Sequence, residues 1–147
     1  MRASVLFLAV VMTLAAGPAL AQPWDWCWDQ DVVTATVEGS NIRILHTAAL
    51  YNCCPDMIFY TVDIPEPGTL HVTETEVNPQ CTCLCCYNLV CGIYDVPAGS
   101  YLIDFEWEDM EHGTTHVYLE VTVPDLGQGG QMIAGPGTMS ACLQGAD

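Results

Sequence analysis

Hydrophobic and polar residues along this chain alternate with a period of two over short segments separated by Gly, Pro and Asn. No segment keeps the three-to-four spacing of a long amphipathic helix, so the pattern predicts an all-β protein. Val33, Ala35 and Val37 share one face of a strand over Val32 to Glu38, and Gly39-Ser40-Asn41 supplies a turn into a second strand over Ile42 to His46. The two form a predicted hairpin. Met57 to Ile64 is a third run, closed by Pro65-Glu66-Pro67-Gly68, where proline removes backbone donors and favours a turn. In Leu70 to Val77, neither the side bearing Val72, Glu74 and Glu76 nor the side bearing His71, Thr73, Thr75 and Val77 is strongly apolar, which predicts an edge strand. Alternation is clearest in Tyr101 to Glu108, with Tyr101, Ile103, Phe105 and Trp107 on one face and Leu102, Asp104, Glu106 and Glu108 on the other. Past Gly113-Thr114-Thr115, His116 to Val123 returns with Val117, Leu119, Val121 and Val123 inward, a second predicted hairpin. Residues 125–147 are rich in Gly and small residues and read as a flexible tail.

Short strands at this spacing suit a single two-sheet antiparallel sandwich over residues 22–124. The stretch Val96-Pro97-Ala98-Gly99-Ser100-Tyr101-Leu102-Ile103 resembles the Pro-x-Gly-[Ser/Thr]-Tyr start of a late strand in immunoglobulin-like modules of secreted bacterial proteins. That resemblance covers about a dozen residues and implies a sandwich with a structural or binding role. The chain departs from antibody-type domains, because Trp24, Trp26 and Trp28 precede most strands and no Cys, Trp, Cys series has the expected spacing.

The N-terminus sets the expected compartment. Arg2, the apolar run Val5 to Leu14 and the small-x-small pattern Ala19-Leu20-Ala21 read as a signal peptide over residues 1–21. The apolar run falls short of the about 20 residues that span a bilayer, and no later stretch reaches that length. The expected address is periplasmic or extracellular. Cleavage would leave all 18 acids against one base, Arg43, for a net charge of −17. Such a field repels nucleic acid, whose phosphates need Lys and Arg to displace counterions.

Nine cysteines dominate the remaining chemistry: Cys27, Cys53, Cys54, Cys81, Cys83, Cys85, Cys86, Cys91 and Cys142. In an oxidising compartment all nine are disulfide candidates, and the odd number leaves at least one without an intramolecular bond. In an extended 81–86 run, Cys81, Cys83 and Cys85 face one side and Cys86 the other, so pairing must reach other segments. Cys53-Cys54 is the expected source of partners, and a Cys27–Cys142 bond would tie the two ends. The alternative is a soft-metal site for Cu or Zn built from Cys81, Cys83, Cys85, Cys86, His112 and His116, with His46 and His71 as further imidazoles. Against it, His112 and His116 flank a turn rather than sharing a helix face.

Other groups carry weaker signals. Asp104, Glu106, Glu108, Asp109 and Glu111 lack an EF-hand spacing and read as a solvated strand face. Trp24, Trp26 and Trp28 could stack on a carbohydrate, although packing of the first strand against the sandwich is the better reading. No Gly-x-Ser-x-Gly elbow, phosphate loop or helix-borne Cys-x-x-Cys is present. The chain is therefore expected to be a non-enzymatic, cofactor-free exported module with a protein or carbohydrate ligand.

Overall fold

The computed structural model describes Cys27 and residues 30–109, 112–127, 132–134 and 137–140. The predicted signal segment, Trp24, Trp26, Trp28 and Cys142 lie outside the described residues. Among the described residues, nine strands follow in chain order: β1 (Val32–Glu38), β2 (Asn41–Asn52), β3 (Met57–Asp63), β4 (Thr69–Val77), β5 (Leu84–Tyr94), β6 (Gly99–Asp109), β7 (Gly113–Val123), β8 (Ile133–Ala134) and β9 (Thr138–Met139). They form two sheets. One runs β1-β2-β5-β8, with β9 also on β5, and the other runs β3-β4-β6-β7. The two predicted hairpins are present as antiparallel pairs β1–β2 and β6–β7. Their turns carry Gly39 and Gly113 at positive φ, 67° and 74°, a backbone state that suits glycine.

The inward faces meet in one core. Ile42 and Ile44 from one sheet pack against Leu70, Val72, Ile103 and Phe105 from the other, with Cys91 and Ile93 of β5 among them. This is the expected two-sheet sandwich, with one difference in strand direction: β4 and β6 pair in parallel. β5 lies in the opposite sheet, so the chain crosses the sandwich between β4 and β6 and returns to β4 in its own direction. The expectation that β4 is an edge strand also fails, since it sits between β3 and β6. Its weak apolar signal comes from Glu74, which is buried at 2 % exposure and fully hydrogen-bonded, as described below.

β2 carries a bulge. His46 pairs with Leu89 but Ala49 pairs with Tyr87, so three steps on β2 match two on β5. Ala48 takes up the extra residue at φ 56°, and Asn88 Oδ1 accepts its N–H at 3.1 Å. Side-chain phase reverses across it: Ile42, Ile44 and His46 are buried before it, and Ala49 and Tyr51 pack into the next cluster after it. Leu50 is turned to the other face, where it packs with Cys27 and Cys86.

Past Val123 the glycine-rich segment supplies β8 and β9, and Met132 packs against the core. The stretch read as a tail thus adds two short strands to β5.

Candidate functional site

β2 and β5 run antiparallel with Asn52 opposite Leu84, which puts the residues just beyond them, Cys53 and Cys83, side by side. The Cys53 N–H donates to the Cys83 carbonyl at 3.1 Å, and the Gln80 N–H to the Cys54 carbonyl at 3.3 Å. Asn52 stitches the same corner together: its Nδ2 donates to the Cys81 carbonyl and its Oδ1 accepts the Cys54 N–H. Two cysteine pairs, Cys53-Cys54 and Cys81-x-Cys83, are thereby brought to one end of the sandwich.

Cys54 and Cys81 are joined in a disulfide, and the Cys83 sulfur lies 3.2 Å from that of Cys81. The Cys53 thiol is pushed up to about 11 by burial and by its hydrogen bond and charge interaction with Cys83. A second disulfide, Cys27–Cys86, clamps the segment ahead of β1 onto the outer face of β5. Cys27 therefore does not bond Cys142 as expected, because Cys86 points out of the sandwich on the side where Cys27 packs. Cys85, on the opposite face of β5, is also disulfide-bonded. Cys53, Cys83 and Cys91 are free thiols. Burial raises the Cys91 thiol to about 12, with the Glu74 charge adding to the effect, which keeps it protonated.

The metal set expected from sequence is not assembled. Cys85 and Cys86 are in disulfides, and His112 and His116 belong to the β6–β7 hairpin, where their Nδ1 atoms lie 2.9 Å from Asp109 and Asp104. Among the described residues, the one group of three or more metal-ligating side chains with donor atoms within 4.8 Å of one another is Cys54, Cys81 and Cys83. Cys81 and Cys83 were expected in such a group. Cys54, and Cys53 beside it, were assigned only to disulfides, since nothing local ties residues 53–54 to 81–83.

A second constellation lies in the core. His46 is 1 % exposed, with Nδ1 at 2.8 Å from Glu74 Oε1 and Nε2 at 2.7 Å from Asp31 Oδ1. Tyr51 donates its hydroxyl to Glu74 Oε1 at 2.6 Å, and Tyr60 donates to Oε2 at 2.7 Å. Phe105 and Trp107 close over the imidazole with ring centroids 5.7 and 4.9 Å away. Both ring nitrogens face carboxylate oxygens, so both donate and His46 is an imidazolium. Burial opposes that charge, but the hydrogen bonds to Asp31 and Glu74 outweigh it and lift His46 to about 9. Burial and the Glu74 charge push Tyr51 and Tyr60 upward, so both remain neutral donors. The sequence reading gave Glu74 no role. Its signal lay in phase, since Glu74 shares parity with Leu70 and Val72, and His46 with Ile42 and Ile44.

This relay makes stability pH-dependent. The folded pKa of His46 lies above its ordinary value of 6.5, so its contribution is complete below about pH 6.5 and is lost as pH rises through about 9. The loss amounts to about 3 kcal/mol. Urea unfolding midpoints should fall across this window, and His46→Gln should flatten the fall. A natural chain with level stability from pH 6.5 to 9 would contradict it.

A cleft of about 490 Å³ opens beside the relay, lined by Glu74, Glu76, Glu106, Trp107, Glu108 and Asp109 among others. It lies where the β4–β6 register ends at Glu74 and Trp107. No helix of the described residues is long and apolar enough to cross a membrane. The chain matches no family model, no curated protein and no solved structure.

Proposed function

We propose that this protein is an exported β-sandwich module, immunoglobulin-like in character and non-enzymatic, with a structural or binding role at or outside the cell envelope. The observation that carries this reading is the pair of disulfides, Cys27–Cys86 at the start of β5 and Cys54–Cys81 in the segments just outside β2 and β5. Such bonds persist in oxidising compartments, in line with the signal-like residues 1–21. The Tyr101 hydroxyl donates to the Pro97 carbonyl at 2.9 Å, which ties down the strand start that resembles secreted immunoglobulin-like modules. For a binding role, the acidic cleft beside Trp107 offers carboxylates and an indole to a basic ligand.

The convergence of Cys54, Cys81 and Cys83 favours a second reading, a soft-metal protein holding Cu or Zn through thiolates. Cys53 would supply the fourth sulfur, and the Cys54–Cys81 bond would have to be reduced first. Intact-mass measurement of exported protein separates the two readings. The bonds of Cys27, Cys54 and Cys85 remove six hydrogens relative to the fully reduced chain, and that deficit without retained metal is expected. A stoichiometric ion with Cys54 and Cys81 reduced would overturn the first reading in favour of the second.

A further inference from the structure

On the solvent face of the β3-β4-β6-β7 sheet, four side chains interlock away from the cysteine cluster and the buried relay. His71 stands on β4, Asp104 and Glu106 on β6, and His116 on β7. The strand register places them there, with His71 opposite Asp104 and His116 opposite Glu106. All four share the outward phase. Asp104 spans both rings, with Oδ2 at 3.1 Å from His71 Nδ1 and Oδ1 at 2.9 Å from His116 Nδ1. The other ring nitrogens both face Glu106 Oε2, which lies 3.3 Å from His71 Nε2 and 3.8 Å from His116 Nε2.

We propose that His71 Nε2, His116 Nε2 and Glu106 Oε2 form a three-ligand site for a divalent first-row transition ion, with Asp104 as the residue that positions both imidazoles. Ligands held tetrahedrally at about 2.0–2.1 Å from Zn stand about 3.3–3.4 Å apart, close to the two Nε2 to Oε2 distances. Asp104 accepts both Nδ1–H groups, which fixes the tautomer that leaves each Nε2 lone pair for the metal. A carboxylate behind a ligating histidine is a recurrent device in metal sites. Two imidazoles and one carboxylate suit Zn, Co, Ni or Cu(II) better than Ca or Mg.

The set is not within 4.8 Å of mutual contact, so the ion would draw the two rings inward over Glu106. The rings have room for that movement, with side chains 27 % and 36 % exposed. Thr73 Oγ1, 3.2 Å from His71 Nε2, and Tyr118, stacked on His116 at 6.3 Å, border the site. Without metal the same groups remain hydrogen-bonded; partial burial of the Asp104 carboxyl opposes its charge, but the hydrogen bonds from His116 and His71 outweigh this and lower it. The proposal does not depend on the scaffold reading.

The test uses disulfide-intact protein with its accessible thiols alkylated, so that cysteine cannot serve as a ligand. Co(II) binding is followed by visible d–d absorption and Zn(II) binding by calorimetry. One equivalent of either ion is expected, with Co(II) bands of a four- or five-coordinate N/O site. His71→Asn and His116→Asn should each weaken binding at least about tenfold, and Asp104→Asn about 10- to 100-fold with unchanged stoichiometry. Glu38→Gln, on β1 in the other sheet, should change nothing. Absence of saturable binding by millimolar metal, or affinity in the histidine variants unchanged from that of the natural chain, overturns the proposal. As a readout that needs no variant, Zn(II) should protect His71 and His116 of the natural chain from diethyl pyrocarbonate; unprotected rings also overturn it.

Discussion

Complete reduction and alkylation should lower the melting temperature by more than about 20 °C or unfold the chain outright. The Cys27–Cys86 and Cys54–Cys81 bonds span 59 and 27 residues of sequence. Restricting the unfolded chain over loops of that size is worth about 4 kcal/mol each in the chain-entropy description. Their combined loss is comparable to the whole stability of a typical domain, about 5–15 kcal/mol. At about 4 °C per kcal/mol for a domain of this size, the shift is about 30 °C. The Cys27–Cys86 bond has a further effect, because it covers Leu50 and Cys86 on the outer face of the β1-β2-β5-β8 sheet. Scanning calorimetry of oxidised and alkylated protein reads the difference directly. An unchanged melting temperature would show that the sandwich stands without its sulfur bonds.

Glu74→Leu is expected to cost about 3–5 kcal/mol, the range for leaving a buried charge without its counter-ion. The substitution strands the His46 imidazolium with Asp31 alone and removes the acceptor of the Tyr51 and Tyr60 hydroxyls. Among the described residues no buried side-chain nitrogen or oxygen lacks a hydrogen bond, so the core has no slack to absorb three orphaned donors. The double variant His46→Leu/Glu74→Leu should lose less than Glu74→Leu alone, since it removes the charge together with its partner. Urea unfolding of both variants supplies the comparison. Equal losses would mean that His46 is indifferent to Glu74.

Strand positions were legible in the sequence because parity is a local property. Val33, Ile103, Phe105 and Val123 could be assigned to the interior from their own neighbours. The parallel β4–β6 pair was not legible, since it depends on β5 crossing to the other layer, a relation between segments. Glu74 misled for a similar reason. Its polarity weakened the inward face of β4, and its compensating donors come from β2 and β3, more than a dozen residues away. The opposed directions of Cys85 and Cys86 followed from strand geometry, but the bond from Cys86 to Cys27 could not. No local pattern announced the meeting of Cys53-Cys54 with Cys81-x-Cys83, which needs the β2–β5 register. The same holds for the outer cluster: Asp104 and Glu106 read as a solvated strand face, and His71 and His116 as imidazoles for a cysteine site, until three strands were aligned.

The single extra residue at Ala48 lets one strand address two interiors. Upstream of it, even-numbered side chains reach Phe105 and Trp107 through His46; downstream, odd-numbered ones reach Glu74 through Tyr51. A straight β2 one residue shorter would have to surrender either the imidazole or the phenol to solvent. The ionic centre of this sandwich therefore depends on an irregularity in its backbone as much as on the acids and bases that compose it.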